Sequence, residues 1–315
     1  MAGFHSGARD YFRLNEGRGF MAEAMLGSTV PRRQLGRVLR ELRTDARLTL
    51  KLAAKKLEWS EAKMWRIESG LTSMRSHDVQ TMCKIYGASA EITEALMGLA
   101  KETKARGWWH SFGDIIPEGF DVFIGLEGAA SQMSIYQGDL VPGLFQTEDY
   151  ARIIIRAAHP DKDEEEIKRR VRLRLARQNM VTRVTEPPLL RVTLDEALLR
   201  RPIGGGAVMA EQLRHLAKLS QLDNVEIRVV PTEAGFHQGL SAGPFYILRF
   251  PVNGDGKETE PPTVYADGYT GDLYLDRPTE IERYDAGFAD MWNKSLSEGA
   301  SRSLLTKLAG SHEQG

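Results

Sequence analysis

The chain has 315 residues, with 42 Lys+Arg against 43 Asp+Glu and one cysteine, Cys83. That length predicts two domains, each able to bury a core; a lone cysteine excludes an internal disulfide framework, and no apolar run reaches the ~20 residues of a membrane helix. The formal net charge of −1 hides a division, because residues 31–106 hold 16 basic and 9 acidic side chains while residues 107–315 hold 23 and 31.

Residues 1–30 are Gly-rich and polar, carry Arg9, Arg13 and Arg18, and lack the apolar region of a signal peptide. They are expected to be flexible. A basic arm reaching a minor groove, or a start at Met21 or Met25, are the other readings. A helix follows in which Arg32, Arg33, Arg37, Arg40, Arg43 and Arg47 surround Leu35, Val38, Leu39 and Leu42. Arg32, Arg33 and Arg37 are candidate contacts to a DNA backbone, which fix position but carry little sequence information.

The stretch Leu48–Gly70 reads as two short helices and a tight turn. Thr49 suits an N-cap, and Leu50, Ala53, Ala54 and Leu57 recur at helical spacing, with the two alanines small enough for a close helix crossing. Ser60 caps the second helix, whose Met64, Ile67 and Leu71 face inward, and Trp59 plugs the turn. Gly70 ends it as a left-handed residue. The outer arc holds Glu61, Ala62, Lys63, Trp65, Arg66 and Ser69. Such a second helix lies in a major groove with its N-terminal residues nearest the base edges. Lys63 can donate to guanine and Glu61 can accept from cytosine, while Arg66 suits a phosphate or a flanking base. Thr49, Lys51, Ser60 and Ala62 complete the expected DNA-binding set. A solvated helix face, with Arg66 paired to Glu61 or Glu68, is the competing reading.

The pieces RRQLGRVLRELR, LAAKKL, SEAKMWRIESG and SHDVQTMCKIYG over residues 32–104 resemble the lambda-repressor-like (Xre) five-helix DNA-binding domain. Two departures stand out. Leu50 occupies a position where that family often has a DNA-touching Gln, and the turn is Glu58-Trp59 where Gly and an aliphatic are usual, which predicts an altered turn. Trp65 replaces a small polar residue; contact with a thymine methyl or sugar, and packing at an interface, both fit it.

Further on, helix is expected near Ala90–Lys104, and Trp108 and Trp109 anchor a junction. Helices are expected near Leu126–Tyr136, from Thr147 to Ala158, and over Asp163–Met180, where Ile167, Val171 and Leu175 form a stripe. Strands are expected at Leu189–Leu194, 225–230, 244–250, 263–267 and 272–276, each rich in β-branched or aromatic residues. A helix follows the glycines at 204–206, and two more close the chain near Thr279–Leu296 and Ser301–Leu308. The fold class is therefore an N-terminal all-α five-helix domain (31–106) followed by an α+β domain (107–315) with a mainly antiparallel sheet.

Within this second part, LVPGLFQTEDYAR, RLARQ, DEALLRRPIGG, MAEQL and GFHQGLSAGPF resemble the C-terminal domain of a group of actinobacterial regulators called WhiJ-like or antitoxin-like. The resemblance implies a transcription regulator, encoded beside a small partner protein that binds and controls it, and implies no reaction.

Candidate chemistry elsewhere is thin. Gly239–Gly243 fits G-x-S-x-G but lacks the strand–turn–helix setting of a nucleophile elbow. The glycines at 204–206 lack the Lys and Ser/Thr of a phosphate loop, and His159, His215 and His237 lack metal-ligand spacing. Asp195 and Glu196 follow a strand close to Arg200 and Arg201 and are expected to be an ion-paired loop end; one half of a catalytic carboxylate pair is the other reading. Cys83 is expected in a core. His237, between glycines, is the candidate contact for a ligand or partner.

Taken together, the sequence predicts a cytoplasmic, homodimeric DNA-binding regulator with no enzymatic activity, metal or cofactor. Its C-terminal domain would bind a small partner protein or a small-molecule effector. The alternative is an antitoxin-like module that neutralises a small partner and binds only its own promoter.

Overall fold

A computed structural model of the chain describes residues 29–104, 107–117, 119–252, 254, 256, 258–268 and 271–314. Of the expected flexible segment, residues 1–28, with Arg9, Arg13 and Arg18, lie outside the described residues. Thr29 and Val30 already form the first turn of a helix. The chain divides into two units, and the first takes the described residues up to Ala129 together with those in 252–260. The expected boundary at residues 106–107 thus falls inside this unit.

The first unit is helical: α1 (Thr29–Asp45), α2 (Leu50–Leu57), α3 (Glu61–Glu68), α4 (Ser76–Tyr86), α5 (Ala90–Glu102) and α6 (Phe120–Ala129), with a 3-10 turn at Trp108–Phe112 before α6. Its core is the set that helical spacing selects, Leu35, Leu39, Ala53, Ala54, Met64, Ile67, Val79, Met82, Cys83 and Leu96 among it. Local chemistry fixes where the helices begin. Thr49, Ser60 and Ser89 each accept a hydrogen bond from the backbone N–H three residues on, at 3.2, 3.1 and 3.2 Å; such a cap contributes about 1 kcal/mol. Of the two expected anchors Trp109 is buried, whereas Trp108 is exposed and meets Trp109 edge-on at 6.0 Å between ring centroids.

One expected helix is displaced. In place of helix over Leu126–Tyr136, α6 ends at Ala129 and β1 (Gln132–Gln137) begins the second unit. This strand is the centre of a sheet and its residues 133–136 are buried on both faces. The two-residue alternation that betrays a half-exposed strand is therefore missing.

From β1 the second unit continues through α7 (Glu148–Ala158), α8 (Glu164–Gln178), β2 (Leu189–Asp195), α9 (Glu196–Arg200), α10 (Gly206–Leu219), β3 (Val225–Val230), the single turn α11 (Gly239–Ala242), β4 (Phe245–Arg249), β5 (Thr263–Ala266), β6 (Leu273–Leu275), α12 (Pro278–Lys294) and α13 (Glu298–Gln314). The sheet order is β3-β2-β1-β4-β5-β6. Pairings β1–β4, β4–β5 and β5–β6 are antiparallel, and β1–β2 and β2–β3 are parallel. The sheet is mixed and mostly antiparallel, as the fold class requires. Its parallel part follows from connectivity, because a parallel neighbour needs a crossover: α7 and α8 join β1 to β2, and α9 and α10 join β2 to β3.

Ile281, Phe288 and Met291 of α12 pack on the sheet face that carries Tyr136, Val230, Phe245, Ile247 and Val264. The outer edge of β3 is closed: Val229 N–H donates to Ser301 Oγ at 3.0 Å, and Leu296 N–H to the Val229 carbonyl at 2.8 Å. A sheet edge left open invites pairing with another chain.

Candidate nucleic-acid interface

The α2–turn–α3 segment closes without glycine in its turn. Glu58 takes φ 57°, ψ 35°, and the Trp59 N–H reaches back to the Ala54 carbonyl at 2.9 Å. The left-handed conformation that glycine would supply is thus taken up by a glutamate. Arg47 does the same at the end of α1, with φ 56°. Trp59 is half-buried and packs against the core.

Close contact with α1 sets the placement of α3. A Cβ on Gly36 would lie 2.6 Å from the Ile67 carbonyl oxygen, and one on Gly70 would lie 2.7 Å from Arg33 Cα. Gly70 also has φ +71°, and the Leu71 N–H donates to the Arg66 carbonyl at 2.9 Å, a helix-ending turn that only glycine adopts without strain. A buried ion pair adds to this. Arg43 holds Glu68 through Nε and Nη2 at 2.7 and 2.8 Å and donates through Nη1 to the Leu48 carbonyl at 2.6 Å. Its hydrogen bond to Glu68 raises the Arg43 pKa above the ordinary guanidinium value. Glu68, one of two expected partners for Arg66, is thus held by Arg43, and no sequence spacing pointed to that pair.

Most of the arc expected from the sequence is turned outward, though Ser69, which follows α3, is half-buried. Glu61, Ala62, Lys63, Trp65 and Arg66 are all exposed, as are Thr49, Lys51 and Ser60 at the starts of α2 and α3. Trp65 is 56 % exposed, and Leu52 on α2 is 43 % exposed. Leu52 did not stand out in the sequence, since an apolar residue on a helix reads as core. Lys63 is not extended: its Nζ rests 3.5 Å from the centroid of the Trp59 ring. Leu50 is half-buried against the core.

The arginines of α1 behave differently from the rest. Arg32 Nη2 lies 3.2 Å from Asp121 of α6, and Arg33 Nε lies 3.2 Å from Glu260. Arg37 grips the same Glu260 twice, at 2.8 and 2.6 Å, and Glu260 is wholly buried. The sequence showed arginines studding a helix. It gave no sign that a glutamate more than 220 residues away was their partner.

In the second unit, Glu196 pairs with Arg200, as expected, and accepts from Thr232 N–H at 2.9 Å. Asp195 does not pair with Arg201. Its Oδ1 accepts from Ala197 N–H at 2.8 Å and its Oδ2 lies 3.0 Å from His237 Nε2. His237 itself is buried, not displayed on a loop. Of the glycines at 204–206, Gly204 and Gly206 serve packing, since a Cβ there would lie 2.3 Å from Ile153 Cδ1 and 2.1 Å from the His312 carbonyl oxygen of α13. Among the described residues no group of three metal-ligating side chains occurs, and no helix is long and apolar enough to cross a membrane.

Residues 34–96 match the family described as Helix-turn-helix domain. No curated protein and no solved structure matches the chain. Residues 120–307, well over half the chain, match the family described as Domain of unknown function (DUF5753), so the chain belongs to that family and carries a helix-turn-helix domain ahead of it.

Proposed function

We propose that this helix-turn-helix protein is a cytoplasmic transcription regulator of the Xre type, akin to the WhiJ-like or antitoxin-like actinobacterial regulators. It binds a near-palindromic operator as a homodimer, with half-sites about one helical turn apart. The observation that carries the reading is the outward arc of α3, borne on a helix that Gly36, Gly70 and the Arg43–Glu68 pair pin to α1. Arms of this helix would divide the work. Glu61 accepts from cytosine, Trp65 contacts a thymine methyl, and Arg66 contacts a phosphate.

Lys63 has to leave the Trp59 ring to reach a base. An exposed cation–π contact is worth about 0.5–1 kcal/mol, whereas a good base contact gives about 1–3 kcal/mol of discrimination. The base contact prevails. Backbone positioning falls to Lys51 and Arg66 in this reading; Arg33 and Arg37, committed to Glu260, are left out of it.

The second unit is proposed to bind a small partner protein or ligand that shifts operator affinity by a coupling of about 1–3 kcal/mol. The direct test is selection of bound sequences by the purified protein and by Lys63→Ala. Lys63→Ala is expected to lose about 1–3 kcal/mol of operator affinity and to relax preference at one base position. Unchanged affinity and preference would remove Lys63 from the readout.

A further inference from the structure

Two buried polar atoms of the second unit, Thr193 Oγ1 and His237 Nδ1, have no hydrogen-bond partner among the described residues, and the fold draws both into one cluster. Thr193 on β2 stands directly opposite Tyr136 on β1. Asp195 follows two residues along the strand and so shares its face. His237 bonds Asp195 through Nε2 at 3.0 Å and lies edge-on to Tyr136, with ring centroids 5.8 Å apart. A carboxylate only accepts, so Nε2 carries the proton, and in the neutral ring Nδ1 keeps a lone pair. Among the described residues no lysine or arginine makes an ion pair with Asp195; His237 and the Ala197 N–H are its partners.

The segment that carries His237 is built to hinge. It is bounded by Gly235 (φ 64°, ψ −136°) and Gly243 (φ 69°, ψ −176°), conformations essentially confined to glycine. Between them the segment is fastened at three points: Lys294 Nζ to the Phe236 carbonyl at 3.1 Å, Gln238 N–H to Asp290 at 3.0 Å, and the His237–Asp195 bond. Gly239 presses on the cluster, since a Cβ there would come within 2.3 Å of Tyr136 Cζ. Phe236 and Leu240 are exposed.

We propose that Tyr136, Thr193, Asp195 and His237 form a binding site for a small primary amine, covered by the Gly235–Gly243 segment. An ammonium group brings three N–H donors and one positive charge. His237 Nδ1 and Thr193 Oγ1 accept two of the bonds, and the Asp195 carboxylate supplies the opposite charge. An anion would meet a bare lone pair and a carboxylate, and is rejected. The site deepens the ligand-sensing role proposed for this unit, but its test needs no DNA, so either reading can fail alone.

The test is NMR of the full-length protein carrying 15N-histidine, with His237 assigned by comparison with His237→Gln. Methylammonium is the probe, and tetramethylammonium, equal in charge but without donors, is the control. The expected result is a saturable upfield movement of the His237 Nδ1 resonance with methylammonium alone, weakened at least about tenfold in Thr193→Val, an isosteric change that spares packing. Several results would overturn the site: a Nδ1 already hydrogen-bonded before any addition, a doubly protonated ring at neutral pH, no saturable response to methylammonium, or equal responses to both ions.

Discussion

Glu58 shows how a local sequence signal and the local geometry can part. A left-handed residue is needed where α2 turns into α3, and the absence of glycine there predicted a changed turn. The left-handed residue is present all the same, with Glu58 at φ 57°. An L-residue in that conformation costs roughly 1–2 kcal/mol, while glycine loses about 0.5–1 kcal/mol through its unfolded-state freedom. Glu58→Gly is therefore expected to leave the helical unit as stable as before, or more stable by up to about 1 kcal/mol, in denaturant unfolding. A loss of more than about 1 kcal/mol would mean that the glutamate side chain, not the backbone, holds the turn. The capping residues Thr49 and Ser60 were legible because each acts over three residues of sequence. Asp195 was legible only as an acid at a strand end, since its partner His237 comes 42 residues later.

At the scale of elements, α3 depends on a pair that lies off its outward face. Arg43 and Glu68 have side chains 13 % and 5 % exposed. Removing one partner leaves the other charge buried without compensation, which costs about 3–5 kcal/mol, whereas replacing both by apolar residues is often close to neutral. Arg43→Met is thus expected to destabilise the helical unit by about 3 kcal/mol and to weaken operator binding without touching DNA. Arg43→Met combined with Glu68→Leu should recover most of the loss. A double-mutant cycle measured by chemical unfolding checks this, and additive losses would contradict it.

Two kinds of signal were readable: α2, α3, α7 and α8 show a stripe, and β2 to β6 are set off by Gly, Pro, Asn or Asp, although β4 is buried on both faces. β1 was taken for helix because it shows no alternation and, in QMSIYQ, carries only one β-branched residue. The parallel pairings escaped for a related reason, since they depend on β1 being a strand and the neighbour of β2.

At the scale of the whole molecule, the sequence-level division of charge and the structural division into units do not coincide, because the first unit adds the acidic residues of 107–129 and 252–260 to the basic stretch 31–106 and holds 20 basic against 19 acidic side chains. They differ where distant segments fold back. Asp121 and Glu260, one past the expected domain boundary and one far downstream, supply carboxylates to Arg32, Arg33 and Arg37 of α1. Part of the positive charge counted over 31–106 is therefore neutralised inside the first unit. What is left for a phosphate backbone lies with exposed cations of α2 such as Lys51, Lys55 and Lys56. Candidate DNA-reading residues could be proposed from sequence because the helix-turn-helix is a local motif. The second unit offers no such motif, and its cluster of Tyr136, Thr193, Asp195 and His237 exists only once β1, β2 and the 235–243 segment are brought together.

The central claim is that α3 directs the protein to particular DNA sequences. Genome-wide mapping of DNA bound by the native protein, beside a Lys63→Ala/Arg66→Ala variant, tests it most directly. The account predicts a shared near-palindromic motif at the native protein's sites and its loss in the variant. The same motif occupied equally by both proteins, or no specific sites for the native protein, would contradict it.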